Sequence, residues 1–193
     1  EAASNTNGVH ERYIIDFEGR SLADAEAWPE LLSIVRERVK PERDGLKDTA
    51  DGVRLKERWW LFHRDRPELR GALRGLERCF VVSRHTKHLA FGVQPTSVVF
   101  GDALNVLAFD DFGRFGVVQS RVHEVWARLL SSSLEDRLRY SVTDCFETFP
   151  FPASAEATAD RGERLHTLRT KWMTEQEEGL TELYNRLKDP ESK

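Results

Sequence analysis

The chain has 193 residues, 39% of them hydrophobic and 32% charged, which is enough to bury a core and excludes fibrous and disordered classes. No run of about 18 apolar residues occurs, which excludes a membrane-spanning helix of ordinary length. The formal net charge of −4 argues mildly against a nucleic-acid partner, and Cys79 and Cys145 lack C-x-x-C spacing, the pattern of free thiols in a reducing compartment.

Residues 1–11 are small and polar and read as a disordered or tag-like lead without the features of a secretory signal. With Met173 as its single Met, the sequence reads as a piece of something longer. Arg12–Phe17 has the pattern of a short buried strand. Ser21 with Asp24 three residues on has the form of a capping box. Pro29 suits the first position of a helix carrying Leu31, Leu32, Val35 and Val39, which Pro41 should end, with a charged loop following to Gly52.

Arg58–His63 is aromatic and strand-like; Trp59 and Trp60 alternate, so at most one faces solvent. Pro67 opens a short helix, and β-type runs follow over 79–83, 89–93, 97–100 and 103–109. Asp110–Gly113 reads as a turn, and Val117–Leu130 as one amphipathic helix with Val122 and Trp126 on its core face. Two prolines in Phe149-Pro-Phe-Pro152 forbid a helix interior and a central strand, so this run is an extended, anchored loop. Asp160–Leu187 carries a single helical stripe that includes Leu165, Leu168, Trp172, Leu180 and Leu183. The resulting class is α+β: a mixed or antiparallel sheet flanked by helices, with a long C-terminal helix. The divisions fall at a body over 12–152, a linker over 153–160 and a helical element over 161–193.

The charge is uneven. Between Gly52 and His88 ten basic residues face four acidic ones, a local net charge of +6. Local basic surface, not global charge, attracts a phosphate backbone. The alternative for such a run is a solvated helix face with scattered loop charge.

Catalytic signatures are missing. No G-x-G turn for close approach to a cofactor occurs, nor a Pro-Pro pair, a P-loop, an HExxH or a G-x-S-x-G elbow. His85 and His88 form an H-x-x-H, but no third ligand is evident and Arg84 and Lys87 disfavour a bound cation. No catalytic residue and no metal site is therefore assigned.

Three ordered segments carry a resemblance. They are Arg58-Trp-Trp-Leu-Phe with Arg66–Arg70 and Ser83–His88, then Phe115–Ala127, then Leu138–Ser141 leading into Cys145–Pro152. With Gly179–Asn185 and Asp189-Pro190, they resemble the target-recognition region of single-chain type IIG (MmeI-like) restriction–modification enzymes. Methylases of the BREX phage-defence type share parts of the layout. The resemblance implies a specificity module, non-catalytic by itself, whose bacterial, cytoplasmic parent is an N6-adenine DNA methyltransferase using S-adenosylmethionine. The implied partners are double-stranded DNA and the parent's own methyltransferase domain, with no cofactor in this portion.

A reader needs cations on phosphates for register and polar side chains on base edges for sequence. The base-contacting candidates are Arg84, His85, Lys87 and His88 in one loop, and Arg137, Arg139, Ser141, Thr143 and Asp144 in another, just before the Phe-Pro anchor. Arg58, Arg64, Ser120 and Arg121 are the phosphate-contacting candidates. Tyr140 and Phe146 read as packing residues. The competing reading is a protein–protein scaffold docking a partner through its C-terminal helix, with Arg137, Arg139 and Asp144 a surface ion-pair cluster.

Overall fold

The computed structural model describes residues 13–131, 133–134 and 137–188; the lead over 1–11 and Asp189-Pro190 lie outside the described residues. The chain forms two compact units, Glu11–Arg70 and Gly71 onward, with the division inside the fifth helix.

The first unit is helical. Helices α1 (Leu22–Ala25), α2 (Pro29–Arg38), α3 (Lys40–Asp44) and α4 (Ala50–Glu57) precede α5 (Pro67–Leu73), which crosses the division. Ser21 caps α1 as a full capping box: its Oγ accepts from Asp24 N at 3.1 Å, and Asp24 accepts from Ser21 N at 3.3 Å. Pro29 opens α2 at a first-turn position, where its missing N–H costs nothing. Pro41 does not end the helical path but sits in the first turn of α3, and the expected loop to Gly52 is largely α3 and the start of α4. The expected strands at Arg12–Phe17 and Arg58–His63 are absent among the described residues. Residues 13–17 and 58–63 are irregular; Phe17, Trp59 and Leu61 join Ala25, Leu32 and Val35 in a small core, whereas Tyr13, Ile14 and Phe62 are exposed. The expected burial holds at Phe17, Trp59 and Leu61 but not at Tyr13 or Ile14, and neither segment makes the backbone hydrogen bonds of a strand. Trp59 is buried and Trp60 half-buried, with Trp60 Nε1 donating to Arg20 O at 2.9 Å.

The second unit is built on two three-stranded antiparallel sheets. Strand β1 (Arg78–Ser83) lies between β3 (Gly92–Pro95) and β4 (Leu104–Leu107), while β6 (Arg137–Arg139) lies between β2 (His85–Thr86) and β5 (Ser133–Leu134). The run Cys79-Phe-Val-Val82 is buried on both faces, as a central strand covered on each side must be. Phe80 stacks on Phe115 at 4.8 Å between centroids and packs on Phe109 at 5.1 Å, at the centre of a core that includes Phe91, Leu138 and Tyr140. Pro95 falls on β3, an edge strand, where the ladder does not need its N–H. The run 97–100 forms no strand.

The single helix expected over Val117–Leu130 is two, α6 (Phe112–Val118) and α7 (Arg121–Leu130), separated at Gln119–Ser120. Asp111 caps α6 through Oδ1 at 2.7 Å from Arg114 N, and Ser120 caps α7 through Oγ at 3.2 Å from His123 N. The faces of α7 reverse the expectation. Val122 is 70% exposed and Trp126 half-exposed, while His123, Glu124 and Ala127 are buried. Hydrogen bonds of His123 and Glu124 to other elements stabilise their burial, so the polar side faces in.

The tail also divides, into α8 (Ala159–Gln176) and α9 (Leu180–Lys188). Glu177 in the left-handed region at φ 54° ends α8. The buried side of α8 is Gly162, Arg169 and Met173, offset from the apolar stripe, so Leu168 and Trp172 remain exposed. Gly162 permits the close approach of α8 to α6, because a Cβ there would lie 2.1 Å from Phe112 O. The Arg169 guanidinium binds Gln119 Oε1 at 3.1 Å, Tyr184 OH at 3.1 Å and Phe91 O at 2.9 Å, and lies over the Phe115 ring. Residues 153–160 include a 3₁₀ turn, Glu156–Thr158, and the first residues of α8.

Candidate nucleic-acid interface

Arg84 stands where the chain leaves one sheet for the other. Its N–H donates to Ala103 O and its carbonyl accepts from Tyr140 N, both at 2.9 Å. The two residues of β2 then pair with β6 in the register His85↔Arg139 and Thr86↔Leu138. Directly opposed residues of an antiparallel pair share a face. Leu138 is buried, which places His85 and Arg139 together on the exposed face; Arg137, two residues along β6, shares it. Two loops about fifty residues apart in sequence are thus one surface, with Arg84 and Lys87 exposed at its ends.

The strand feeding this surface is anchored in the core. The Tyr140 ring is buried, its OH lies 2.9 Å from His123 Nε2, and its carbonyl accepts from Asn105 Nδ2 at 2.9 Å. Burial pushes the Tyr140 phenol up and the His123 imidazole down to about 4, so both are neutral across the ordinary pH range. Behind Tyr140, Ser141 Oγ accepts from Asp144 N at 3.4 Å and caps a π-helical turn, Val142–Phe146. Thr143 and Asp144 are exposed on that turn. The Phe-Pro run anchors it: Phe149 is buried edge-on to His123 at 4.5 Å, and Phe151 packs on Phe146 and Phe149 at 5.3 Å each. Phe146 is half-buried and parallel to Phe109 at 6.3 Å, a packing residue as expected.

The remaining candidates are placed differently. His88 is buried, with Nε2 2.9 Å from Asn185 Oδ1. The Ser120 hydroxyl is occupied as the α7 cap. Arg121 is exposed but pairs with Glu124 at 2.8 Å. Arg58 and Arg64 are exposed on the Glu11–Arg70 unit, so the +6 stretch divides between the two units.

Glu124 is a hub that sequence reasoning treated only as part of a helix start. Burial alone would raise its carboxyl, but hydrogen bonds from Lys188 and Arg121, the charge of Lys188 and a bond from Arg128 outweigh this and hold it at about 2. Gln119 was missed as well. Its Oε1 accepts from Phe91 N at 2.8 Å and its Nε2 donates to Leu89 O at 3.2 Å, so the side chain serves as a strand neighbour for 89–91. No local pattern announces such long-range partners. The expected Cys state holds: Cys79 and Cys145 are buried free thiols, Cys79 raised by burial to about 11. Among the described residues no helix is long and apolar enough to cross a membrane.

An α+β body that presents a cross-paired basic strand surface, with its aromatic anchors behind, defines a surface-recognition module. The chain belongs to the family described as MmeI, target recognition domain, which it matches over residues 2–153. It is similar to the solved structure of the type IIL restriction–modification enzyme MmeI in complex with DNA, with a TM-score of 0.69 at 18% identity over 92% of this chain and 23% of that one. It is also 25% identical over 105 residues to DNA methyltransferase A of Bacillus subtilis (strain 168), covering 54% of this chain and 12% of the relative. The chain therefore spans less than a quarter of the length of either relative.

Proposed function

We propose that this chain reads duplex DNA sequence on behalf of a restriction–modification methyltransferase, the exposed face of β2 and β6 entering a groove. The observation that carries this is the His85↔Arg139 register, which joins two basic loops into one surface. Arg137, Arg139, Arg84 and Lys87 supply donors suited to guanine O6 and N7, and Asp144 an acceptor for cytosine N4. The family and the DNA in the related MmeI structure support the reading. We assign the parent an S-adenosylmethionine-dependent N6-adenine methyltransferase of the type IIG, phage-defence class acting in the bacterial cytoplasm, with the cofactor bound outside this chain.

The exposed apolar positions on α7 and α8, Val122, Val125, Leu129, Leu168 and Trp172, favour an additional contact with the parent's methyltransferase domain. That contact complements DNA reading; by itself it would make the chain a scaffold. Duplex binding at two salt concentrations separates the two roles, because neutralising phosphates releases counterions and affinity falls steeply as salt rises. A scaffold would bind no duplex at low salt.

A further inference from the structure

Strand β2 has only two residues, and so short a ladder does not fix the aim of its side chains unaided. The turn that follows it is held by the last helix. Asn185 Oδ1 on α9 accepts from His88 Nε2 at 2.9 Å and from Lys87 Nζ at 3.4 Å. Tyr184 lies beside His88, ring centroids 6.3 Å apart. A second strut reaches the same turn: Lys188 Nζ binds Glu124 Oε1 at 2.7 Å, Arg128 Nε binds that oxygen at 3.1 Å, and Arg128 NH2 donates to Lys87 O at 3.1 Å. Within the turn Thr86 Oγ1 donates to His88 O at 2.6 Å.

The α9 residues of these struts, Tyr184, Asn185 and Lys188, lie outside the stretch that matches the family, which ends at residue 153. Residues 154–193 are about a fifth of the chain, so a fold likeness covering 92% of it includes part of them. We propose that α9 belongs to the recognition element, with Asn185 a positioning residue that fixes the Lys87–His88 turn and thereby the aim of His85 and Arg139. This rests on the DNA-reading role proposed above. A turn ordered before binding loses less entropy on contact, and an aimed side chain discriminates between bases where a mobile one does not.

The test compares wild type, Asn185→Leu and Asn185→Asp in the full chain. Asp keeps an acceptor oxygen where Leu has none. Amide exchange of residues 86–89 is measured in the free chain, together with the affinity ratio between a duplex selected by wild type from a random library and poly(dI–dC). The Leu variant is expected to exchange faster at the turn and to lose about tenfold in the ratio, the scale of one base contact. The Asp variant should stay within about twofold on both, because its charge weakens specific and non-specific binding alike. Unaltered exchange at Leu180–Leu183 verifies that α9 remains docked. Equal ratios for Leu and Asp variants overturn the positioning role, as does a lower ratio without faster turn exchange, while leaving DNA reading intact. If wild type selects no sequence, DNA reading itself falls and the role of Asn185 falls with it.

Discussion

Replacing Glu124 by Gln removes one charge from the junction of three cations while nearly preserving shape. The carboxyl is held at about 2, well below its ordinary 4.5, which corresponds to about 3 kcal/mol before screening. Its side chain is 11% exposed, but the Arg121, Arg128 and Lys188 side chains are 74%, 40% and 36% exposed, so solvent screens the gain. An expected loss of about 1–2 kcal/mol at pH 7 follows for Glu124→Gln. The group's folded pKa is depressed, so its stabilisation is present above about pH 4.5 and is lost as pH falls through about 2. Urea unfolding followed by circular dichroism, at pH 7 and at steps down to pH 3, gives the difference directly. Wild type should lead at pH 7 and the lead should narrow below pH 4.5. Equal stabilities at pH 7, or a gap indifferent to pH, would refute the assignment of Glu124 as a charged hub.

His123 has its folded pKa depressed to about 4 by burial, so its neutral form stabilises the fold above pH 6.5 and that contribution is lost as pH falls towards 4. His123→Phe should flatten the wild-type decline across that window and cost about 1–2 kcal/mol at pH 7 by leaving the Tyr140 OH unpaired; an unaltered pH slope counts against it. Gly162→Ala should lower stability by about 2 kcal/mol or more, read from the urea midpoint, since its Cβ would meet the Phe112 carbonyl at 2.1 Å. A neutral result there would show that α6 and α8 separate easily. Arg139→Ala should weaken binding of the selected duplex about tenfold or more while leaving the unfolding free energy from urea titration within about 0.5 kcal/mol, as it is exposed; a changed fold with unchanged selection would reverse its role.

Local chemistry was the legible part of this fold. Ser21 with Asp24, Pro29, Pro67 and the Phe149–Pro152 run each act within a few residues of their own position, and each does in the structure what its type dictates. Tyr140 and Phe146 read as packing groups by residue type, and both pack against other aromatics. The failures share one cause. The aromatic run Arg58–His63 reads as a strand but forms none, and on α7 the apolar pattern reads as the core face, whereas tertiary hydrogen bonds turn His123 and Glu124 inward. His123 binds Tyr140 seventeen residues away, and Glu124 binds Lys188 sixty-four residues away; neither distance leaves a periodic trace. The two proposed reading loops were identified by residue type, yet their pairing as strands was not foreseen, because β2 and β6 are too short to show alternation. Gly179–Asn185 adds to the family resemblance, but nothing in the sequence pairs Asn185 with the Lys87–His88 turn ninety-seven residues away.

Selection of duplexes from a random library by this chain, with the salt dependence of the winner, tests DNA reading most directly. One enriched motif is expected, with an affinity that falls steeply with salt and a preference that shifts at a defined position when Arg139 is replaced by Ala. Recovery of unenriched sequence by wild type, with binding absent even at low salt, would contradict it.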